Sequence, residues 1–362
     1  MTASVPTSDR RILITGGAGF VGANLCLELA ARHPEWRIVA FDNLKRRGSE
    51  INLPRLKEAG VEFAHGDVRE LSDLLALDPV DAIVECSAEP SALAGVDGGT
   101  EYVVHTNLSG AYHCLELARR DRAQMIFLST SRVYPVAAQE RIAWTEADTR
   151  FEIAAEQEIP GVSPAGISER FPLEGARTLY GMTKLSGELL IAEYAETFGI
   201  PATINRCGVI AGPWQMGKVD QGVFTHWVLS HYTGKNLRYI GYGGKGKQVR
   251  DLLHIDDLVD LIEDQLLRPE HWSGSTANVG GGRDCSLSLV ETTEICRELT
   301  GNTVQVEATD ETRPGDVRVY LSDCGRLFEH TDWRPQRSPR DVLVDIFEWI
   351  RQNERSVLAA LG

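Results

Sequence analysis

Residues 12–22 read Ile12-Leu13-Ile14-Thr15-Gly16-Gly17-Ala18-Gly19-Phe20-Val21-Gly22, an apolar run that breaks into glycines and then enters a helical pattern over 23–31. The run is too short for a helix and fits a strand buried on both faces. The glycines at 16, 19 and 22 have separate duties. Gly16 permits a sharp turn, Gly19 lets the backbone approach a pyrophosphate, and Gly22 lets helix and sheet pack closely. The helix start then offers free N–H groups and a positive dipole end to phosphates. Asp42 closes the next apolar run, 38–42, twenty residues past Gly22, where an acid that binds ribose hydroxyls belongs. It would accept bonds from both hydroxyls and repel a 2′-phosphate, so NAD is expected rather than NADP. Lys45-Arg46-Arg47 follow directly. They read as solvated loop charges, the alternative being a grip on that phosphate.

The same rhythm continues outward. Runs 61–67, 82–87, 125–129 and 203–206 also read as buried strands, with helical patterns at 71–77, 106–120 and 179–198 between them. Strands alternating with helices give a parallel sheet covered on both faces. Within 179–198, Met182, Leu185, Leu189 and Ala192 form one apolar stripe, and Gly199 and Pro201 end the helix. The stretch 135–177, with Pro135, Pro160, Pro164 and Pro172, interrupts the rhythm as a long, partly irregular insertion. Past 206 the pattern loosens, with helices expected at 255–267, 287–299 and 341–351. The expected fold is α/β: a Rossmann-type doubly wound parallel sheet over 1–205, and a smaller mixed α/β substrate domain over 206–362, partly interleaved with it.

Composition narrows the partners. With 37 basic and 52 acidic residues the chain carries −15, and its densest basic cluster is residues 45–47. Phosphate backbones and anionic membranes would repel it, so neither nucleic acid nor a membrane is an expected partner. No apolar stretch reaches the ~18 residues of a membrane span. The polar start, residues 1–11, lacks the apolar centre of a signal peptide. The seven cysteines, at 26, 86, 114, 207, 285, 296 and 324, form no C-x-x-C pair. They read as reduced core thiols in a cytoplasmic protein, with no metal site expected.

The chemistry is expected where Ser129-Thr130-Ser131 ends a strand and Tyr180-Gly181-Met182-Thr183-Lys184 opens the later helix. Tyr180 and Lys184, four apart, share a helix face. The ammonium stabilises a phenolate and lowers the phenol's pKa, so Tyr180 can exchange a proton near neutral pH while Thr130 holds the same substrate oxygen. Asp67, in Gly66-Asp67-Val68, is either an acceptor for an adenine amino group or an N-cap for 71–77.

Taken together, Gly16-x-x-Gly19-x-x-Gly22, Asp42, Gly66-Asp67-Val68, Ser129-Thr130-…-Val133-Tyr134 and Tyr180-x-x-x-Lys184 resemble the extended short-chain dehydrogenase/reductases, the nucleotide-sugar epimerases and dehydratases. The resemblance spans about 11–349. It implies Thr130, Tyr180 and Lys184 as catalytic residues, Lys184 also bonding the nicotinamide ribose. It adds Phe20, Val21, Asn43, Val68, Ala88 and Asn107 to the cofactor contacts. Residues 246–257 and Asp220-Gln221-Gly222 resemble the members that act at C2 of CDP-linked sugars. Implied substrate contacts are Ser131, Arg132, Arg206, Gln221, Gln248, Arg250 and Arg313, the last two on the diphosphate. From the residues alone, Arg250 could equally pair with Asp251 or Asp256, and Arg313 could sit in a surface turn.

Dehydratases of this family carry an acid pair after the catalytic threonine, where this chain has Ser131 and Arg132. Loss of that proton shuttle favours epimerisation. The expected substrate is a CDP- or UDP-linked sugar, with inversion at C2 of a CDP-hexose through a keto intermediate. A UDP-sugar 4-epimerase, a 4,6-dehydratase and a non-catalytic NAD-sensing scaffold are the alternatives. The family also implies a homodimer built on helices 106–120 and 179–198, whose outward faces read as amphipathic but not strongly apolar.

Overall fold

The computed structural model describes residues 9–96, 98–217 and 221–361. Residues 1–8 of the polar start, and Asp220, lie outside them. Strand β1 (Arg11–Thr15) leads into helix α1 (Phe20–Arg32), followed by β2 (Arg37–Asp42), β3 (Glu62–His65) and β4 (Ala82–Glu85). Helix α2 (Gly110–Asp121), β5 (Gln124–Thr130), α3 (Leu179–Phe198), β6 (Ala202–Cys207) and β7 (Ser275–Val279) complete the central layer. The sheet runs β7-β6-β5-β4-β1-β2-β3, and every pairing is parallel.

The sheet is doubly wound because β1 sends alternate side chains to two cores. Ile12 and Ile14 meet Leu25 and Leu29 of α1 and the helix Ile255–Leu267, while Leu13 meets Leu115 and Ile191 on the other face. After β3 the chain returns to the far side of β1. This reversal opens a crevice between the carboxyl ends of β1 and β4, where ligands bind in such sheets. The seventh strand, β7, lay beyond the runs recognised in the sequence. It is only five residues long, and three of them are Ser, Thr and Asn.

A second unit packs beyond the carboxyl edge. Its sheet joins Val209–Ala211, Val249–His254, Ser286–Ser288 and Val319–Tyr320, covered by helices Val223–Thr233, Leu289–Thr300 and Pro339–Gln352. The stretch 135–177 folds into two small hairpins, Trp144–Glu146 with Phe151–Ile153 and Val162–Ser163 with Gly166–Ile167.

Two helical expectations change. The helix expected at 106–120 begins as a wide π turn, His105–Ser109, preceded by a short helix, Thr100–Val104. The apolar stripe of α3 divides: Leu185 packs beside Val133 and Tyr134, while Leu189 is 64% exposed and Ala192 faces solvent. The buried face instead carries Gly181, Thr183, Lys184, Gly187, Glu188 and Ile191. The outward surface is therefore more apolar than its sequence indicated, with Tyr112 of α2 and Phe198 of α3 also exposed.

Candidate active site

The cofactor cradle is built from backbone. Gly16 has φ +64, and a Cβ on Gly22 would lie 2.2 Å from the Gly16 carbonyl oxygen. Any side chain at 22 would therefore push α1 off the turn. A Cβ on Gly19 would meet no protein atom but that same oxygen, at 3.1 Å, leaving its other sides open. Gly16, Gly19, Phe20, Val21, Gly22, Asp42, Asn43, Val68 and Ala88 all line one cavity at the crevice. Asp42 accepts bonds from the amides of Ala18 (3.1 Å) and Leu44 (2.7 Å), and burial raises its carboxyl above the usual range against those bonds. The amides hold the carboxylate at the mouth of the glycine turn. A dinucleotide fits: open backbone where phosphates would sit, and an acceptor pair where a ribose would lie.

Asp67 does not cap a helix; the short helix Leu71–Leu75 starts without a side-chain cap. Its carboxylate takes bonds from Arg69 and Asn43. Partial burial works to raise it, but the Arg69 and Asn43 bonds outweigh that and bring it down to about 2. Asn107, in the π turn, bonds Glu89 through both its amide oxygen and nitrogen, and Thr183 of α3 through the nitrogen. It ties the β4 loop to α3. Arg46 and Arg47, read as solvated charges, also line the cavity and bond the carbonyls of Met216 and Ala359; Arg47 stays exposed while Arg46 is half-buried. Those carbonyls come from chain more than 160 residues away, a proximity that no local reading shows.

The Tyr180 phenol reaches Thr130 because the start of α3 sits hard against the turn after β5. A Cβ on Gly181 would be 2.0 Å from the Arg132 carbonyl oxygen. Thr178 caps the helix by accepting from the Gly181 amide. Thr130 Oγ1 accepts from the Arg132 amide at 3.2 Å, and its hydroxyl lies near enough to Tyr180 to act on the phenol. Burial raises the phenol above its ordinary value, and Lys184 and Thr130 only partly offset it. The lowered phenol pKa expected from a neighbouring lysine is thus not reached. Burial outweighs the lysine there. Lys184 is itself held from β4: its Nζ donates to Glu85 Oε2 at 3.0 Å, with both side chains almost wholly buried. Burial works against the ammonium, but Glu85 raises its pKa overall. Glu85 escaped the sequence reading, although an acid closing the apolar run Ala82-Ile83-Val84 was a signal in itself.

The expected substrate residues divide. Ser131 and Arg132 form the turn Ser131–Val133 beside Thr130. Arg132 crosses to the second unit and donates to the Gly315 carbonyl at 2.7 Å. Arg250 pairs with Asp316 at 2.5 Å, not with Asp251 or Asp256, because β-strand alternation puts Asp251 on the opposite face. Asp251 there accepts the amides of Gly282 and Ser322. Arg313 is half-buried in the same 311–316 turn. Gln221 lines the cofactor cavity. Gln248 donates to the Ile240 carbonyl and is buried in the second unit. Arg206 is a correction. It forms a buried bidentate pair with Glu188 of α3, 2.7 Å at its shortest, so its guanidinium braces the helix instead of meeting a sugar.

Fold and site first define a class: an enzyme that works with a dinucleotide held at the reversal point of a parallel sheet. The sequence profile of the NAD dependent epimerase/dehydratase family matches residues 12–280. The chain belongs to that family, and its cofactor is NAD. It is similar to CDP-paratose 2-epimerase of Salmonella typhi, 28% identical over 94% of this chain and 98% of that one. A dTDP-glucose 4,6-dehydratase of Mycobacterium tuberculosis is 26% identical over 95% and 94% of the two chains. UDP-glucuronic acid 4-epimerase from Bacillus cereus, solved with UDP-glucuronic acid and NAD, shares the fold with a TM-score of 0.77. It is 23% identical and covers 94% of this chain and 99% of its own. Among the described residues, no helix is long and apolar enough to cross a membrane.

Proposed function

We propose that this enzyme is a nucleotide-sugar epimerase that inverts a carbinol centre, acting at C2 of a CDP-linked hexose. The observation that carries the reading is the turn after Thr130. Arg132, a cation, stands beside Thr130 and Tyr180 where a dehydratase needs carboxylic acids for the departing hydroxyl and the neighbouring C–H proton. The similarity to CDP-paratose 2-epimerase supports the choice of nucleotide and carbon.

NAD, when bound, supplies reversible two-electron oxidation of a sugar carbinol. The chain does the rest. Tyr180 takes the hydroxyl proton and later returns it, and Thr130 orients the same oxygen. Lys184 supplies the positive charge that favours the phenolate. Arg132, Arg250 and Arg313, gathered around the 311–316 turn, are the cations placed to meet the diphosphate. We further propose that two copies associate through α2 and α3, since Leu189, Tyr112 and Phe198 lie exposed there. The unpaired cysteines support a cytoplasmic setting.

The test is to incubate the enzyme with CDP- and UDP-sugars in heavy water and weigh the product. An isobaric epimer without deuterium on carbon is expected. Loss of one water, or deuterium fixed at a sugar carbon, would overturn the reading in favour of dehydration.

A further inference from the structure

We infer that Glu85 is a positioning residue for the Tyr180–Lys184 pair: its buried carboxylate holds the lysine ammonium in place and raises the pair's affinity for a proton. The inference rests on the reading of Tyr180 as the proton carrier. Its geometry is simple. Glu85 ends β4 with its side chain 0% exposed, and Lys184 Nζ lies 3.0 Å from Oε2. The other oxygen, Oε1, is buried with no hydrogen-bond partner. On its far side the ammonium lies 4.4 Å from the centroid of the Phe127 ring. The lysine is thus gripped from the sheet, one helical turn from the phenol.

The electrostatic consequence follows from proton counting. Tyr180 and Lys184 are close enough to titrate as a unit. Loss of one proton gives the same net charge whether it leaves the phenol or the ammonium. Burial raises the Glu85 carboxyl and Lys184 opposes that rise; in its ionised form Glu85 makes the first loss harder in either case. Burial acts on the phenol in the same direction. The remaining ionisable neighbours do not replace Glu85. The thiols of Cys86 and Cys114 are held protonated by burial, that of Cys207 is pushed up to about 12, and Arg132 is a cation. A pair with this higher proton affinity is the stronger acceptor when Tyr180 takes the hydroxyl proton in the first half of each cycle, and the weaker donor in the second.

Glu85→Gln keeps the shape and an oxygen acceptor for Lys184 while removing the charge. The acid limb of the kcat against pH profile should move to lower pH by about one unit or more. Glu85→Asp, which keeps the charge, should leave the limb within a few tenths of a unit of the parent. The phenol itself can be followed without turnover, in protein carrying ring-labelled tyrosine, with the Tyr180 resonance assigned by its loss in Tyr180→Phe. Its titration should fall in Glu85→Gln by the same amount as the limb. An unmoved phenol titration in a folded Glu85→Gln protein would overturn the inference. Should that variant fail to fold, Lys184 of the unmodified enzyme decides: burial alone would lower its pKa, so an ammonium held protonated above the ordinary lysine range supports the inference and one that loses its proton below that range overturns it. Because this readout does not depend on any sugar, a failure of the epimerase reading leaves it intact and is seen separately.

Discussion

The two faces of helix α3 are built on opposite plans. Its inner face carries Thr183, Lys184 and Glu188 against the sheet, where Glu85 and Arg206 meet the two charges and Ser129 donates to Glu188. Its outer face carries Leu189 and Ala192 toward solvent. Ile191 is buried on the inner face as well, with Leu190, Tyr194 and Ala195 packed against the same core, so that face mixes ion pairs with apolar contact. The ion pairs themselves add little net stability, because desolvating each charge costs several kcal/mol that the pairing must offset. They give the helix a fixed register instead: Tyr180, Lys184 and Glu188 are spaced four apart, and pinning the last two places the first. The apolar face is left available to a second copy.

The largest effect expected from disturbing this contrast is at the reacting end. Tyr180→Phe keeps the ring and removes the proton-carrying oxygen, so turnover should fall by about 10²–10⁴-fold while NAD stays bound. Turnover assays with cofactor release on denaturation check both halves of the statement.

Next comes the seat of the helix. Arg206→Met leaves Glu188 buried and unpaired and should cost about 3–5 kcal/mol in urea unfolding. Adding Glu188→Leu removes the stranded charge and should recover much of that loss. If the double variant is no better than Arg206→Met alone, the pair is not what seats the helix.

The smallest effect on folding belongs to the outer face. Leu189→Glu should change unfolding stability by no more than about 0.5 kcal/mol at protomer concentrations where subunits are apart. Sedimentation velocity should nevertheless show a shift from dimer to monomer. Unchanged sedimentation would remove the second copy from the account of why this face is apolar.

Much of this was legible in the sequence, and the reason is length scale. The glycine turn, Asp42 and the Tyr180–Lys184 spacing are short-window features, because a turn's backbone angles and a helix's period need only a few neighbours. The family resemblance and the parallel sheet follow from those windows. Three matters required the folded chain: the partner of Lys184, 99 residues away, the partner of Arg206, 18 away, and that of Arg250, 66 away. A charge in a sequence does not declare whether water or an opposite charge will solvate it. That choice is made when strands and helices from distant segments close over it, and here it decided which charges of α3 turn inward and what Lys184 holds.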